Sequence, residues 1–219
     1  TSTGTSTGTS TSTSTSTTKP TTTTTAAPGT SYLMSIADKS VASTERWEEA
    51  VISADGRFVA FTSDTSTMAL GDTNGKRDVF LRDLVTKTTT LVSVGLNGKS
   101  GNQQSTSPSI SADGQYVAFS SIASNLVTGD TNGTSDVFVR EIKTGTTYPV
   151  SVNGQGEIVG SSDQPSISYS GRYVVFSSSS TNLVAGDTNG VEDVFLHDLA
   201  TDITTLASVN SSGEQANGR

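Results

Sequence analysis

The sequence GDTNGKRDVFLRDL at residues 71–84 occurs three times along the chain in nearly the same form. It returns as GDTNGTSDVFVREI at 129–142 and as GDTNGVEDVFLHDL at 186–199. The second copy lies 58 residues after the first, and the third lies 57 residues after the second. A repeat of this period indicates stacked structural units or propeller blades rather than one irregular core.

Each repeat is predicted to hold four β-strands and no helix. A short first strand ends at an isoleucine, and a glycine-containing turn leads into a second strand at residues 58–63, 116–121 and 173–178. The third strand follows the acidic turn, and the fourth is a threonine-rich segment such as TTTLVSV at residues 88–94. The second strand is apolar on both faces, so we expect neighbouring units to cover both. Polar and apolar residues alternate along the fourth strand, which predicts a half-exposed edge strand.

We therefore predict an all-β fold built from β-propeller-type four-stranded blades. The repeat region spans residues 31–219, with blades at about 50–95, 108–152 and 165–209. A spare N-terminal strand is predicted at Ser31–Ala37, where the sequence matches the fourth strand of a further unit. Because propellers typically need 4 to 8 blades, this partial propeller is expected to continue beyond Arg219 or to be completed by other chains.

These units resemble the TolB-like β-propeller repeats, which are related in form to WD repeats and occur in secreted and periplasmic bacterial proteins. The resemblance is carried by SPSISADGQYVAF at residues 107–119, by GDTNGTSDVFV at 129–139 and by TGTTYPVSV at 144–152. It covers Ser31 to Val209 and implies the propeller fold. It does not identify a ligand, because this blade serves unrelated purposes.

Residues 1–30 form a low-complexity tail in which 22 residues are threonine or serine. Such a segment has too little apolar surface to offset the entropy cost of ordering its backbone. We interpret it as a linker or stalk whose hydroxyls can carry O-linked sugars. The alternative is that its strict alternation forms an extended strand that a neighbouring subunit orders in a fibre.

Composition excludes several functional classes. The chain has 219 residues, a formal net charge of −8 and no basic run longer than Lys76-Arg77, which argues against nucleic-acid binding. No apolar run reaches the ~20 residues that a membrane span needs. With no cysteine and one histidine, His197, transition-metal sites and a catalytic triad are disfavoured. We expect His197 to face solvent, as the equivalent arginines would, and Trp47 to serve packing.

The repeated turn has the pattern D-x-N-G-x-x-D, which predicts a calcium loop. Calcium takes 6 to 8 oxygen ligands, and a sharp turn gathers the carboxylate, amide and backbone oxygens. The predicted ligands, with the third of each set acting through its backbone carbonyl, are Asp72, Asn74, Lys76, Asp78; Asp130, Asn132, Thr134, Asp136; Asp187, Asn189, Val191 and Asp193. The alternative is a plain Asn-Gly hairpin whose aspartates accept backbone hydrogen bonds.

The first functional hypothesis is a non-enzymatic, secreted structural or adhesive module that binds calcium and self-assembles into a fibre. The alternatives are a propeller that binds a glycan or peptide and an accessory propeller of a larger hydrolase. We expect an extracellular or cell-surface location, with the periplasm as the alternative. Asn132 and Asn210 lie in N-glycosylation patterns, although a sugar on Asn132 would conflict with calcium binding.

Overall fold

The computed structural model describes Thr1 and residues 49–216. Apart from Thr1, the residues of the predicted tail at 1–30, the spare strand at residues 31–37 and Trp47 lie outside the described residues. None of the described residues belongs to a helix with the length and apolar composition of a membrane span.

Three four-stranded antiparallel sheets follow one another along residues 50–206, each with its strands in sequence order. Blade 1 contains β1 (Ala50–Ile52), β2 (Phe58–Ser63), β3 (Asp78–Asp83) and β4 (Thr88–Leu91). Blade 2 contains β5 (Ser105–Ile110), β6 (Tyr116–Ser121), β7 (Asp136–Glu141) and β8 (Thr146–Pro149). Blade 3 contains β9 (Ser162–Ile167), β10 (Tyr173–Ser178), β11 (Asp193–Asp198) and β12 (Ile203–Leu206). The prediction of an all-β fold with four-stranded propeller blades is confirmed.

A phenylalanine pair lies at the same place in every blade, at directly opposite positions of the paired second and third strands. The rings of Phe119 and Phe138 lie opposite each other on β6 and β7, with 5.9 Å between their centroids. The equivalent pairs, Phe61–Phe80 and Phe176–Phe195, have separations of 5.7 and 5.8 Å. Such pairs stabilise a sheet by direct ring contact and by the apolar area that they bury.

Most of the apolar core lies between consecutive blades, and a smaller cluster around Phe61 and Phe80 contains only blade 1 residues. Phe58 and Leu81 of blade 1 pack in one cluster with Val117 and Phe138 of blade 2. A second cluster joins residues of blade 2 to blade 3, including Ala118, Val139, Val174 and Phe195. Both faces of β2 are buried, as predicted from its apolar residues.

The first strands of blades 2 and 3 begin three residues earlier than the predicted boundaries of 108 and 165. The predicted boundaries fall at Pro108 and Pro165, and proline has no N–H to donate to the ladder. The pairing instead continues across a β-bulge, in which Ser107 and Gln164 adopt positive φ angles of 53° and 55°. The bulge lets the strand pass the proline and resume pairing.

The fourth strands end three residues earlier than the TTTLVSV pattern suggested. Strand β4 stops at Leu91, and the hydroxyl of Ser93 then accepts the backbone N–H of Val79 at 3.1 Å. A side chain therefore takes the place of a ladder bond at this point. The alternating burial along β4, β8 and β12 matches the expected half-exposed edge strand.

Candidate metal centres at the repeated acidic turns

The acidic turn of each blade connects its second and third strands and is bonded to the segment that leads into the next blade. In blade 1, the backbone N–H of Ser100 donates to the carbonyl of Gly71 at 2.9 Å, and that of Ser105 donates to Arg77 at 2.8 Å. In blade 2, Ser162 donates to Ser135 at 2.8 Å. The turn is thus a junction between one blade and the start of the following one.

The asparagine of the motif shapes this junction. Its amide oxygen in blade 1, Asn74 Oδ1, accepts the backbone N–H of Lys76 at 2.7 Å, which closes an Asx turn. Its Nδ2 donates to the carbonyl of Gly101 at 2.8 Å, across to the inter-blade segment. Asn132 and Asn189 repeat both contacts, with Gly160 and Ala216 as the distant acceptors.

The closing aspartate is held from two sides. Asp78 is fully buried, and its Oδ1 accepts the hydroxyl of Ser93 at 2.6 Å. In blades 2 and 3 the motif asparagine also donates to it, from Asn132 to Asp136 at 3.0 Å and from Asn189 to Asp193 at 2.7 Å. Within the described part of the chain, the Oδ2 atoms of Asp78 and Asp136 have no hydrogen-bond partner.

The first aspartate of the motif is also buried, and its carboxylate has even fewer hydrogen-bond partners. Asp72 is 6% exposed, and neither of its carboxylate oxygens has a hydrogen-bond partner of normal geometry among the described residues. Oδ2 of Asp187 is likewise unpartnered, while its Oδ1 accepts Gln215 Nε2 at 3.3 Å. Buried carboxylate oxygens without partners are costly, because each has lost its water without replacement.

Burial favours the protonated forms of three of these carboxyls, Asp72, Asp78 and Asp136, in the metal-free protein. It raises the pKa of Asp72 to about 6, although the Asn74 backbone amide offsets part of the effect. Burial also raises the pKa of Asp78 and of Asp136 to about 7, and the nearby charges of Asp72 and Asp130 add to the respective increases. Each pair is thus close enough for one carboxylate to disfavour ionisation of the other.

Sequence reasoning missed the serine that binds the closing aspartate in every blade. Ser93, Ser151 and Ser208 donate to Asp78, Asp136 and Asp193 at 2.6, 3.1 and 2.5 Å. Each serine also accepts a backbone N–H from the third strand. The signal was available in the sequence, since the serine recurs in VSV, VSV and ASV after every fourth strand.

The arrangement brings two aspartates and one asparagine of the motif together in blades 1 and 2, but not a larger acidic group. Across the described residues, no cluster holds three or more histidine, cysteine, aspartate or glutamate side chains suited to a metal. Further ligands would have to be amide, backbone or water oxygens, which hard cations such as calcium accept. The carbonyls of Lys76, Thr134 and Val191 stay predicted ligands.

The expectation that His197 faces solvent is wrong. Its side chain is 1% exposed, and Nδ1 lies 3.0 Å from Thr204 Oγ1. Burial lowers its pKa. The equivalent Arg82 is also buried and donates to Thr89 at 3.0 Å, so the position serves to bind the fourth strand in each blade.

Part of the chain is similar to solved structures of TolB and of a protease propeller domain. The chain is similar to putative TolB from Agrobacterium tumefaciens, with 19% identity, a TM-score of 0.48 and coverage of 73% of this chain and 45% of that one. TolB from Acinetobacter baumannii is 16% identical, with a TM-score of 0.34 and coverage of 80% and 46%. The β-propeller domain of the Trilobed protease from Pyrococcus furiosus is 12% identical, with a TM-score of 0.46 and coverage of 74% and 41%.

The chain spans less than half the length of these three solved structures. No protein-family model and no curated sequence matches it at a significant level. The propeller-type blades that the resemblance to TolB-like repeats implied are confirmed by the strand order of this chain.

Proposed function

We propose that the chain is a non-enzymatic structural propeller module whose blades are fastened to one another by calcium. The observation that supports this proposal is the set of buried carboxylates at the repeated acidic turns, whose oxygens lack hydrogen-bond partners. A structural or adhesive role outside the cytoplasm is consistent with such sites, because extracellular calcium fills even sites with dissociation constants of ~10⁻⁴ to 10⁻³ M. The threonine- and serine-rich tail would then be a glycosylated stalk.

Calcium fits the donor set better than other metals do. The unpartnered groups are carboxylate oxygens, and hard cations prefer oxygen over nitrogen or sulfur. The formal net charge of −8 also favours cation binding, since three dications would add +6 and reduce the self-repulsion of the chain.

The proposed ion would act on the junction between blades. Asp72 and Asp78 flank a turn that already bonds to Ser100 and Gly101, immediately before blade 2 begins. Neutralising the two carboxylates would remove their mutual repulsion and the cost of their burial. Calcium would therefore stiffen the connection through which one blade positions the next.

Differential scanning calorimetry with calcium and with a chelator tests this proposal. Ligand binding to the folded state alone adds about 2.7 kcal/mol for each site at a free concentration of one hundred times its dissociation constant. We expect calcium to raise the melting temperature clearly. Asp78→Asn should lose part of this gain, whereas Asp55→Asn, in the exposed β1–β2 turn, should keep all of it.

The pH dependence supplies a second readout of the same proposal. The pKa values of Asp72 and Asp78 are raised on folding, so the metal-free folded state holds more protons than the unfolded chain between about pH 4 and pH 7. In chelator, stability should therefore fall as pH rises through this range. Calcium should abolish the fall, and an unchanged melting curve with and without calcium at pH 8 would refute the proposal.

We also propose that a blade from a second copy of this chain covers the outer face of blade 3. Tyr173, Val175 and Val194 are 37%, 36% and 42% exposed on that face. In blade 2 the equivalent residues pack against blade 3, and Ala118 and Val137 are fully buried. The face thus has the chemistry of an established blade interface, and association of copies would produce the predicted fibre.

A ligand-binding role is the second candidate. The observation that favours it is a cleft between blades 2 and 3, in which the repeat pattern is broken.

A further inference from the structure

A cavity of about 320 Å³ lies between blades 2 and 3, at the end where the β9–β10 hairpin meets β6. Its walls include Tyr116, Glu141, Tyr148 and Arg172. The backbone of Gly171 rests on the ring of Tyr116, since a Cβ on this glycine would lie 2.3 Å from Cδ2 of the tyrosine. Tight hairpin packing therefore fixes one wall of the cleft.

Blade 2 departs from the repeat at this cleft. Tyr148 pairs with Val139 across β7 and β8, at the position that threonine holds in the other blades. Glu141 pairs with Tyr116 across β6 and β7, at the position that aspartate holds in the other blades. Blades 1 and 3 have Thr90 and Thr205 at the position of the tyrosine. They have Asp83 and Asp198 at the position of the glutamate.

A third departure leaves the glutamate without the guanidinium that its counterparts have. Arg57 and Arg172 each bind the aspartate of their own blade at 2.7 Å. Blade 2 has Gln115 at that position. Among the described contacts, the Glu141 carboxylate instead accepts the hydroxyls of Thr144 at 2.8 Å and Tyr148 at 3.3 Å.

The lining of the cleft consequently combines an acidic side chain, a basic side chain and the ring of Tyr148. Glu141 can only accept hydrogen bonds when ionised. Arg172 carries five N–H donors, and its bonds to Asp198 come from Nε and Nη2. Tyr148 is 39% exposed and offers a ring against which an apolar surface can stack.

From this arrangement we infer that the cleft binds one sugar residue of a saccharide. A cation would be repelled by Arg172, and an anion would be repelled by Glu141. A hydroxyl both donates and accepts, so neighbouring hydroxyls of one sugar satisfy both side chains. The C–H face of the sugar ring would stack on Tyr148, and the cleft volume is in the range of small-molecule sites.

This inference does not depend on calcium, because the cleft shares none of the residues of the acidic turns. A protein that fails to bind calcium could therefore still bind the sugar. A loss of sugar binding would leave the calcium proposal standing.

The test is to titrate the chain with methyl glycosides of hexoses, N-acetylhexosamines and pentoses, and then to apply it to an oligosaccharide array. Saturation-transfer difference NMR detects weak binders, and calorimetry gives the dissociation constants. Tyr148→Thr introduces the residue that blades 1 and 3 carry at this position, so it should fold. We expect it to weaken glycoside binding at least about fivefold. Thr205→Ser, at the equivalent position of β12, is the matched control and should change nothing.

Glu141→Asp is the second variant, because the shorter side chain should turn back onto its own loop. Asp83 does so in blade 1, where its Oδ1 accepts the backbone N–H of Val85 at 2.8 Å. The charge is kept while the acceptor leaves the cleft, so binding should weaken by a similar factor. The inference is overturned if no glycoside or oligosaccharide binds, if Tyr148→Thr binds as well as the unmodified chain, or if methylammonium or acetate occupies the cleft instead.

Discussion

Blades 2 and 3 share one sequence pattern and one strand order, yet they differ in what covers them. Val137 on β7 and Val194 on β11 occupy equivalent positions, and they are 0% and 42% exposed. Blade 3 packs against Val137. Among the described residues, no further blade covers Val194. The burial of a strand in this fold is therefore set by the neighbouring blade rather than by the strand itself.

This difference means that a blade is not an independent folding unit. Each sheet carries apolar residues on both faces, and the two largest clusters of the core form where two sheets meet. Stability in such repeats is approximately the sum of contributions from each unit and from each interface. Substitutions at equivalent positions should consequently have very different effects, depending on whether an interface is present.

The largest expected contrast is between Val137→Asp and Val194→Asp. A carboxylate at position 137 would be buried without a partner between two blades, which costs at least about 4 kcal/mol and should unfold the chain. The same change at position 194 places the charge on an exposed face and should leave the fold intact. Urea unfolding followed by circular dichroism measures both effects.

Sedimentation of the Val194→Asp variant tests whether a second copy covers the outer face of blade 3. If a second copy covers the outer face of blade 3, the unmodified chain self-associates at micromolar concentration and the variant is monomeric. Equal sedimentation of the two proteins would contradict the proposed association.

A smaller contrast in stability is expected between glycines in the hairpins that join the first and second strands of the blades. Gly171 has a φ of +75° and rests on Tyr116, while Gly56 has a φ of +71° with no described atom within 4 Å of its added Cβ. Alanine costs about 1 kcal/mol at either site because of the left-handed backbone. Gly171→Ala should cost about 2 kcal/mol more, since the methyl group would separate the two blades. Equal losses in a denaturant titration would show that the hairpin does not hold the interface.

Local pattern predicted much of this architecture correctly. The second strands have the predicted bounds, because their apolar runs are flanked by a glycine turn and by polar residues. The starts of β5 and β9 were missed, because a bulge carries the pairing past a proline that would ordinarily end it. The burial of His197 was also missed, because it depends on Thr204 and on the adjacent blade.

The acidic turns show the same limit on prediction. The spacing of Asp72, Asn74 and Asp78 predicts that they share one turn. The contacts of that turn with Ser93 and Gly101 come from residues that are distant in sequence. Sequence repetition can indicate that such a serine matters, but only the fold shows which carboxylate oxygen it binds.

The smallest expected effect on stability comes from Gln115→Arg, which gives blade 2 the ion pair of blade 3. The new guanidinium should reach Glu141 as Arg172 reaches Asp198, on an exposed edge where water and salt screen the attraction. We expect the melting temperature to change by no more than about 2 °C, and less in high salt. Sugar binding should nevertheless weaken, because the acceptor of the cleft would be engaged by its own blade. A variant that gains several degrees and still binds glycosides normally would show that the missing arginine has no connection with the cleft.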